Sequence, residues 1–94
     1  MDDAHLPGLL PGQDLIAEGL RDIAAARETV AALLVSIGAP RLRRLGYAVG
    51  NPIASPEHRL YEVLHTADPD TAHGRYNALL RRLVSFERAA ECAS

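Results

Sequence analysis

Lysine is absent from this chain of 94 residues, so all 10 of its basic residues are arginine. Because 12 acidic residues offset them and the formal net charge is −2, the composition predicts no general attraction to nucleic acid or to an anionic membrane. Arginine without lysine is typical of a GC-rich genome. Arginine also makes forked contacts with carboxylates and phosphates, which lysine does not.

Cysteine is nearly absent as well, and Cys92 is the single one. One cysteine cannot form an internal disulfide or a Cys/His zinc frame. The N-terminal residues 1–12 are acidic where a signal peptide would be basic, and prolines interrupt their apolar run. No apolar stretch approaches the roughly 18 residues needed to span a bilayer. We therefore expect a cytoplasmic protein with no membrane segment and no cofactor.

Large β-branched residues are scarce, since 14 leucines stand against 5 valines and 4 isoleucines. The chain also has 16 alanines, and leucine with alanine favours helix over sheet. We predict an all-α protein, a compact bundle of four to five helices joined by short capped turns. One domain over residues 13–94 is expected after an irregular N-terminal arm, residues 1–12, which contains two Pro-Gly turns.

Apolar periodicity and capping residues predict where the helices lie. The second helix should be central, because it is apolar on nearly all sides. We expect helices from a cap at Asp14 to about Ala26, from Glu28 to Ile37, from Pro40 to Leu45, from Pro56 to about Ala67, and from the Asp68-Pro69-Asp70 start signal to about Glu91. The loop before the fourth helix contains Tyr47, Val49 and Ile53, so it should pack against the core.

The last helix carries one predicted apolar face and one exposed flank. The flank contains Val84 and Phe86, and Glu87 lies on the apolar face, where we expect its carboxylate to reach water near the chain end. The apolar face itself is made of Ala72, Tyr76, Leu79, Leu80, Leu83 and Ala90. A thin core with an apolar flank left over favours association with another protein or a second copy.

The leading hypothesis is therefore a non-enzymatic helical interaction or regulatory protein that self-associates, with another protein as the other possible partner. Aromatic residues and arginines are enriched in protein interfaces. The candidate binding residues combine both types: Arg41, Arg43, Arg44, Arg81, Arg82, Tyr47 and Phe86.

Nucleic-acid binding by the same arginines is an alternative that we do not favour. Residues 28–37 and 40–45 would then form a helix-turn-helix, but the second helix is too short to fill a major groove. The acidic net charge also argues against it.

Two further patterns lie in the fourth predicted helix. His58, Glu62 and His65 share one helical face, but that face is opposite Leu60 and Leu64, so we expect a solvated surface and no metal. The segment from Arg59 to His65 resembles the Arg-x(4–6)-His pattern of the HEPN family of helical-bundle ribonucleases. The resemblance implies that the arginine and histidine act on a phosphodiester and its attacking 2′-hydroxyl. Leu60 stands where that family usually has a polar residue, and no family is assigned to the whole chain.

Overall fold

The computed structural model describes residues 10–93, and every regular element in that part of the chain is a helix. The helices are α1 (Gln13–Ala24), α2 (Val30–Ile37), α3 (Ala39–Arg44), α4 (Pro56–Ala67) and α5 (Ala72–Ala93). The predicted all-α bundle is confirmed. Most of the predicted N-terminal arm, residues 1–9, lies outside the described residues, while residues 10–12 form the turn that leads into α1.

Helix α2 is the central element, as its all-round apolar sequence predicts. Every residue from Ala31 to Ser36 is buried, and α2 contacts each of the other four helices. A short helix enclosed on most sides derives its stability from burial of its side chains rather than from its own length. The remaining helices are therefore arranged around α2.

The beginnings of the first two helices differ from the prediction by one or two residues. Helix α1 begins at Gln13 after Gly12, whose φ of +74° suits a residue without a side chain. Gln13 Oε1 accepts the backbone N–H of Leu10 at 2.9 Å. The Asp14 cap is therefore wrong, and Asp14 lies in the first turn instead.

Thr29, rather than Glu28, caps α2 and also ties it to the end of α1. Thr29 Oγ1 accepts the backbone N–H of Ala32 at 3.1 Å and donates to Asp22 Oδ2 at 2.6 Å. Arg27 Nη2 donates to the other oxygen of Asp22 at 2.8 Å. The hydrogen bond from Thr29, followed by that from Arg27, lowers the pKa of Asp22 below its usual value.

Helices α1 and α2 approach each other closely at Gly19. A Cβ atom at Gly19 would lie 2.5 Å from Val35 Cγ2 and would also overlap the backbone carbonyl of Ala31. Such distances are shorter than van der Waals contact allows. The absence of a side chain at this one position therefore sets how near the two helices can come.

The segment between α3 and α4 has no regular structure but packs against the core, as predicted. Tyr47, Val49 and Ile53 are half-buried there. The backbone N–H of Ile53 donates to Ser36 Oγ at 3.0 Å, and that hydroxyl donates to the Ala32 carbonyl of α2 at 2.8 Å. A single buried hydroxyl thus fixes the segment to the central helix.

The buried side of α5 differs from the predicted one. The residues that face the bundle recur at alternate spacings of four and three, and they are Ala72, Tyr76, Leu79, Leu83, Phe86 and Ala90. This spacing is the heptad period of helices that pack side by side. Phe86 is 1% exposed, so its predicted place on an exposed flank is wrong. Leu80 packs against the core, as predicted, and is half-buried like Tyr76 and Leu79, and it also borders the outer side of the helix.

Candidate interaction surface

The outer side of α5 carries an apolar ridge, which we define as Leu80 and Val84. Val84 is 39% exposed and, with Tyr61, is one of two exposed large apolar side chains among residues 10–93. The two ridge residues are four positions apart, so they lie one above the other on the helix. Two open depressions flank the ridge, one on each side.

The first depression, which we call the α3–α5 groove, has a volume of about 390 Å³. Its walls are mainly apolar, and two arginines of α3 lie among its lining residues. The lining residues are Ile37, Gly38, Pro40, Arg41, Arg44, Leu80, Leu83, Val84 and Glu87. Gly38 is important for its shape, because a Cβ atom there would lie 2.9 Å from both Leu83 Cδ1 and Glu87 Oε2.

Glu87 contributes a buried carboxylate to this groove. Its side chain is 6% exposed, so the expectation that it reaches water is wrong. The nearest described cation is Arg41, whose Nη1 lies 3.8 Å from Glu87 Oε1, which is too long for a hydrogen bond. Burial raises the pKa of Glu87, and the positive charges of Arg41 and Arg44 partly oppose that effect. Among residues 10–93, no group donates a hydrogen bond to this carboxylate.

The second depression lies on the other side of the ridge and has a volume of about 430 Å³. Asn77, Arg81, Ser85 and Arg88 line it together with the ridge. Both arginines are exposed, and neither forms an ion pair within the described part of the chain. Two arginines that form no ion pair among the described residues therefore lie beside the ridge.

The five arginines predicted as binding residues come together only in part. Arg41 donates to Glu91 Oε1 at 2.8 Å, and Arg43 donates to the carbonyl oxygens of Val49 and Gly50 at 3.3 and 2.9 Å. These two side chains therefore already have protein partners. The remaining three form no ion pair among residues 10–93, although the charge of Arg44 acts on Glu87, and they are Arg44, Arg81 and Arg82. Of these, Arg44 and Arg81 lie beside the ridge.

The aromatic members of the predicted site belong to the core. The rings of Tyr47 and Phe86 pack with centroids 5.5 Å apart and planes inclined by 55°. Both rings line a small depression together with Leu10 and with Ile16 of α1. Phe86 is inaccessible to a partner because it fills the interior of the bundle.

The residues of the ribonuclease pattern are used differently in this structure. Arg59 Nη2 pairs with Glu28 Oε2 at 2.5 Å and its Nη1 pairs with Glu62 Oε1 at 2.6 Å. These carboxylates raise the pKa of Arg59, and the hydrogen bond that Arg59 donates to Glu28 contributes most. The ring of His65 instead stacks on Tyr61 with centroids 6.1 Å apart. Both carboxylates therefore compete with any phosphodiester for the guanidinium.

The predicted solvated face of α4 is observed. His58, Glu62 and His65 are all exposed, and no group of three or more His, Cys, Asp or Glu side chains within residues 10–93 could hold a metal ion. None of the helices in the same part of the chain combines the length and hydropathy needed to cross a bilayer.

No protein-family model, curated protein or solved structure matches this chain. The function is therefore inferred from the geometry of the ridge and its two depressions. The sequence pattern indicates that Val84 is an exposed apolar residue, but nothing in it predicts the groove. One signal of the groove is present in the sequence, namely the acidic residue Glu87 on an apolar helix face. Its place near the chain end predicts that the carboxylate reaches water, which hides this signal.

Proposed function

We propose that this protein is a non-enzymatic helical interaction protein that binds an acidic, amphipathic segment of another protein along the α5 ridge. The observation that carries the proposal is the combination of exposed Val84 with arginines that form no ion pair among residues 10–93. Apolar side chains of such a segment would cover Leu80 and Val84, and its carboxylates would lie beside Arg44, Arg81 and Arg88. These arginines lie on both sides of the ridge.

The charge at the ridge favours a different protein over a second copy of this chain. A two-fold dimer uses the same surface on both subunits. Pairing through the ridge would therefore bring Arg81 and Arg88 near their own counterparts, and juxtaposed like charges in an interface are costly. The homodimer expected from the sequence stays a prediction, and it requires another surface.

Nucleic acid is the second candidate, since Arg44, Arg81 and Arg82 form no ion pair among residues 10–93. Two observations make it the weaker one. The ridge between the arginines is apolar, and Arg81 and Arg82 line a further depression beside Pro11 and Gly12, away from α3. Phosphate contacts need cations that follow a backbone rather than an apolar ridge flanked by them.

The test is a selection of displayed amphipathic peptides against the full chain, followed by affinity measurements on two variants. Val84→Glu adds a negative charge to the ridge. Tyr61→Glu is the matched control, because Tyr61 is 37% exposed, of the same apolar class, and lies against Tyr76, outside the ridge. Far-UV circular dichroism confirms that both variants retain their helices.

We expect the selected peptides to be rich in Asp and Glu. They should bind Val84→Glu at least about tenfold more weakly than the native protein, a loss of about 1.4 kcal/mol in binding free energy. They should bind Tyr61→Glu as tightly as the native protein. Peptides that do not distinguish Val84→Glu from the native protein would refute the proposal. Anisotropy with a single-stranded RNA tests the second candidate. Binding that weakens steeply with salt and survives Val84→Glu would favour nucleic acid.

A further inference from the structure

The α3–α5 groove contains one feature that the apolar ridge does not explain, namely the carboxylate of Glu87. A buried acceptor without a hydrogen bond is costly, because its desolvation is not compensated. The side chain of Glu87 is 6% exposed, and Arg41 at 3.8 Å is its nearest described cation. An apolar side chain placed in this groove would leave the carboxylate buried and still without a hydrogen-bond donor. The best occupant therefore brings a hydrogen-bond donor.

The charge around the groove determines which donor fits. Arg41 and Arg44 both line the groove. Although Arg41 also pairs with Glu91, a lysine or arginine of the partner would lie beside both guanidinium groups when it reached Glu87. A neutral donor avoids that repulsion. A carboxylate of the partner fits the arginines at the outside but not Glu87, because two carboxylates would then lie together.

The walls of the groove determine the rest of the side chain. Ile37, Leu80 and Leu83 present aliphatic surface, and a volume of about 390 Å³ accommodates one large side chain. An aromatic ring buries much apolar area, and its face attracts a guanidinium. Tyrosine and tryptophan combine a large ring with an O–H or N–H donor at its edge, and both are enriched at the energetic centres of interfaces.

We propose that the α3–α5 groove binds a donor-bearing aromatic side chain, tyrosine or tryptophan, of the acidic partner segment, and that its O–H or N–H group donates to the carboxylate of Glu87. This inference rests on the proposed function and adds the anchor residue to it. The ring of this anchor residue lies between the aliphatic wall of the groove and the arginines of α3. Gly38 leaves the space in which the Glu87 side chain can lie at the bottom of the groove.

The experiment uses the peptides selected above, in which the anchor position is compared as tyrosine and as phenylalanine. These two peptides differ only in the hydroxyl group. Each is titrated against the native protein, against Glu87→Leu, which removes the acceptor, and against Glu87→Gln, which retains a neutral acceptor of the same length. Circular dichroism again checks that the helices are retained.

On the native protein we expect the tyrosine peptide to bind roughly tenfold more tightly than the phenylalanine peptide, as a hydrogen bond to a charged group would produce. The preference should shrink with Glu87→Gln and vanish or reverse with Glu87→Leu. If Glu87→Leu does not fold, Glu87→Gln still tests the proposal, because the neutral amide should reduce the preference.

The possible failures are distinguishable. Peptides that are sensitive to Val84→Glu but show the same tyrosine preference on all Glu87 variants, or none at all, would overturn the anchor and leave the interaction surface in place. A selection dominated by lysine or arginine at the anchor would overturn it too, because the carboxylate would then bind a cation. A selection without any ridge-dependent peptide would overturn both proposals.

Discussion

Replacement of Gly19 by alanine should loosen the junction between α1 and α2. The added Cβ atom would lie 2.5 Å from Val35 Cγ2 and 2.8 Å from the carbonyl carbon of Ala31, and closer still to that carbonyl oxygen. Two of these three atoms belong to the backbone of the central helix and cannot rotate away. The helices must therefore separate, and α2 is the element against which the whole bundle packs.

The size of the effect follows from two opposing contributions. Inserting a methyl group into a tightly packed contact typically costs about 1–3 kcal/mol, and the rigid backbone places Gly19 at the upper end. Alanine in a helix is more favourable than glycine by about 1 kcal/mol. The net loss in the free energy of unfolding is therefore about 2 kcal/mol, which lowers the Tm of a domain of this size by about 8–16 °C.

Gly74 provides the matched control for this substitution. It also lies within a helix, but nothing is within 4 Å of a Cβ atom placed there. Gly74→Ala should therefore show the helix-propensity gain alone, raising the free energy of unfolding by up to about 1 kcal/mol. Thermal and urea unfolding followed by circular dichroism measure both variants. If Gly19→Ala unfolds at or above the native Tm while Gly74→Ala behaves as expected, the close approach of α1 and α2 is not as described.

Two further substitutions test the hydrogen bonds that hold α2 in place. Ser36→Ala removes the acceptor of the Ile53 N–H and should lower the free energy of unfolding, measured with urea, by about 1–3 kcal/mol. Thr66→Ala, on an exposed part of α4, is the control and should change this free energy little. Equal losses in the two variants would contradict the role of the Ser36 hydroxyl. Asp22→Asn should flatten the acid side of the profile of Tm against pH. Because Thr29 and Arg27 lower the pKa of Asp22, its stabilisation is present above the unfolded value of 3.8 and is lost as the pH falls through the lower folded pKa. An unchanged acid profile would show that the ionised carboxylate does not stabilise the junction.

The number of helices and the central place of α2 were predictable from short stretches of sequence. Leucines spaced at helical period define each helix, turn residues such as Gly38 and Gly46 separate one helix from the next, and Pro56 begins α4. An apolar sequence on all sides is sufficient to predict burial of α2. Its end at Ile37 is as predicted, and the error at its start is small, because Thr29 and Glu28 both carry side chains that suit the start of a helix.

The buried side of α5 was not predictable in the same way. Its apolar residues cover more than half of the helix surface, so the sequence is compatible with several orientations about the helix axis. The sequence pattern predicts Phe86 on an exposed flank, whereas the bundle buries Phe86 against Tyr47. The same orientation of α5 about its axis also determines the environment of Glu87.

Helix formation in this chain depends on contacts between residues three or four positions apart, and these can be inferred from the order of the amino acids alone. The interaction surface depends on contacts between residues that are distant in the chain. Arg41 meets Glu91, and Gly38 makes room for Glu87. Such pairs come together only after α3 and α5 have packed on α2. The exposed position of Val84 and the burial of Glu87 are therefore consequences of how the helices are arranged in space.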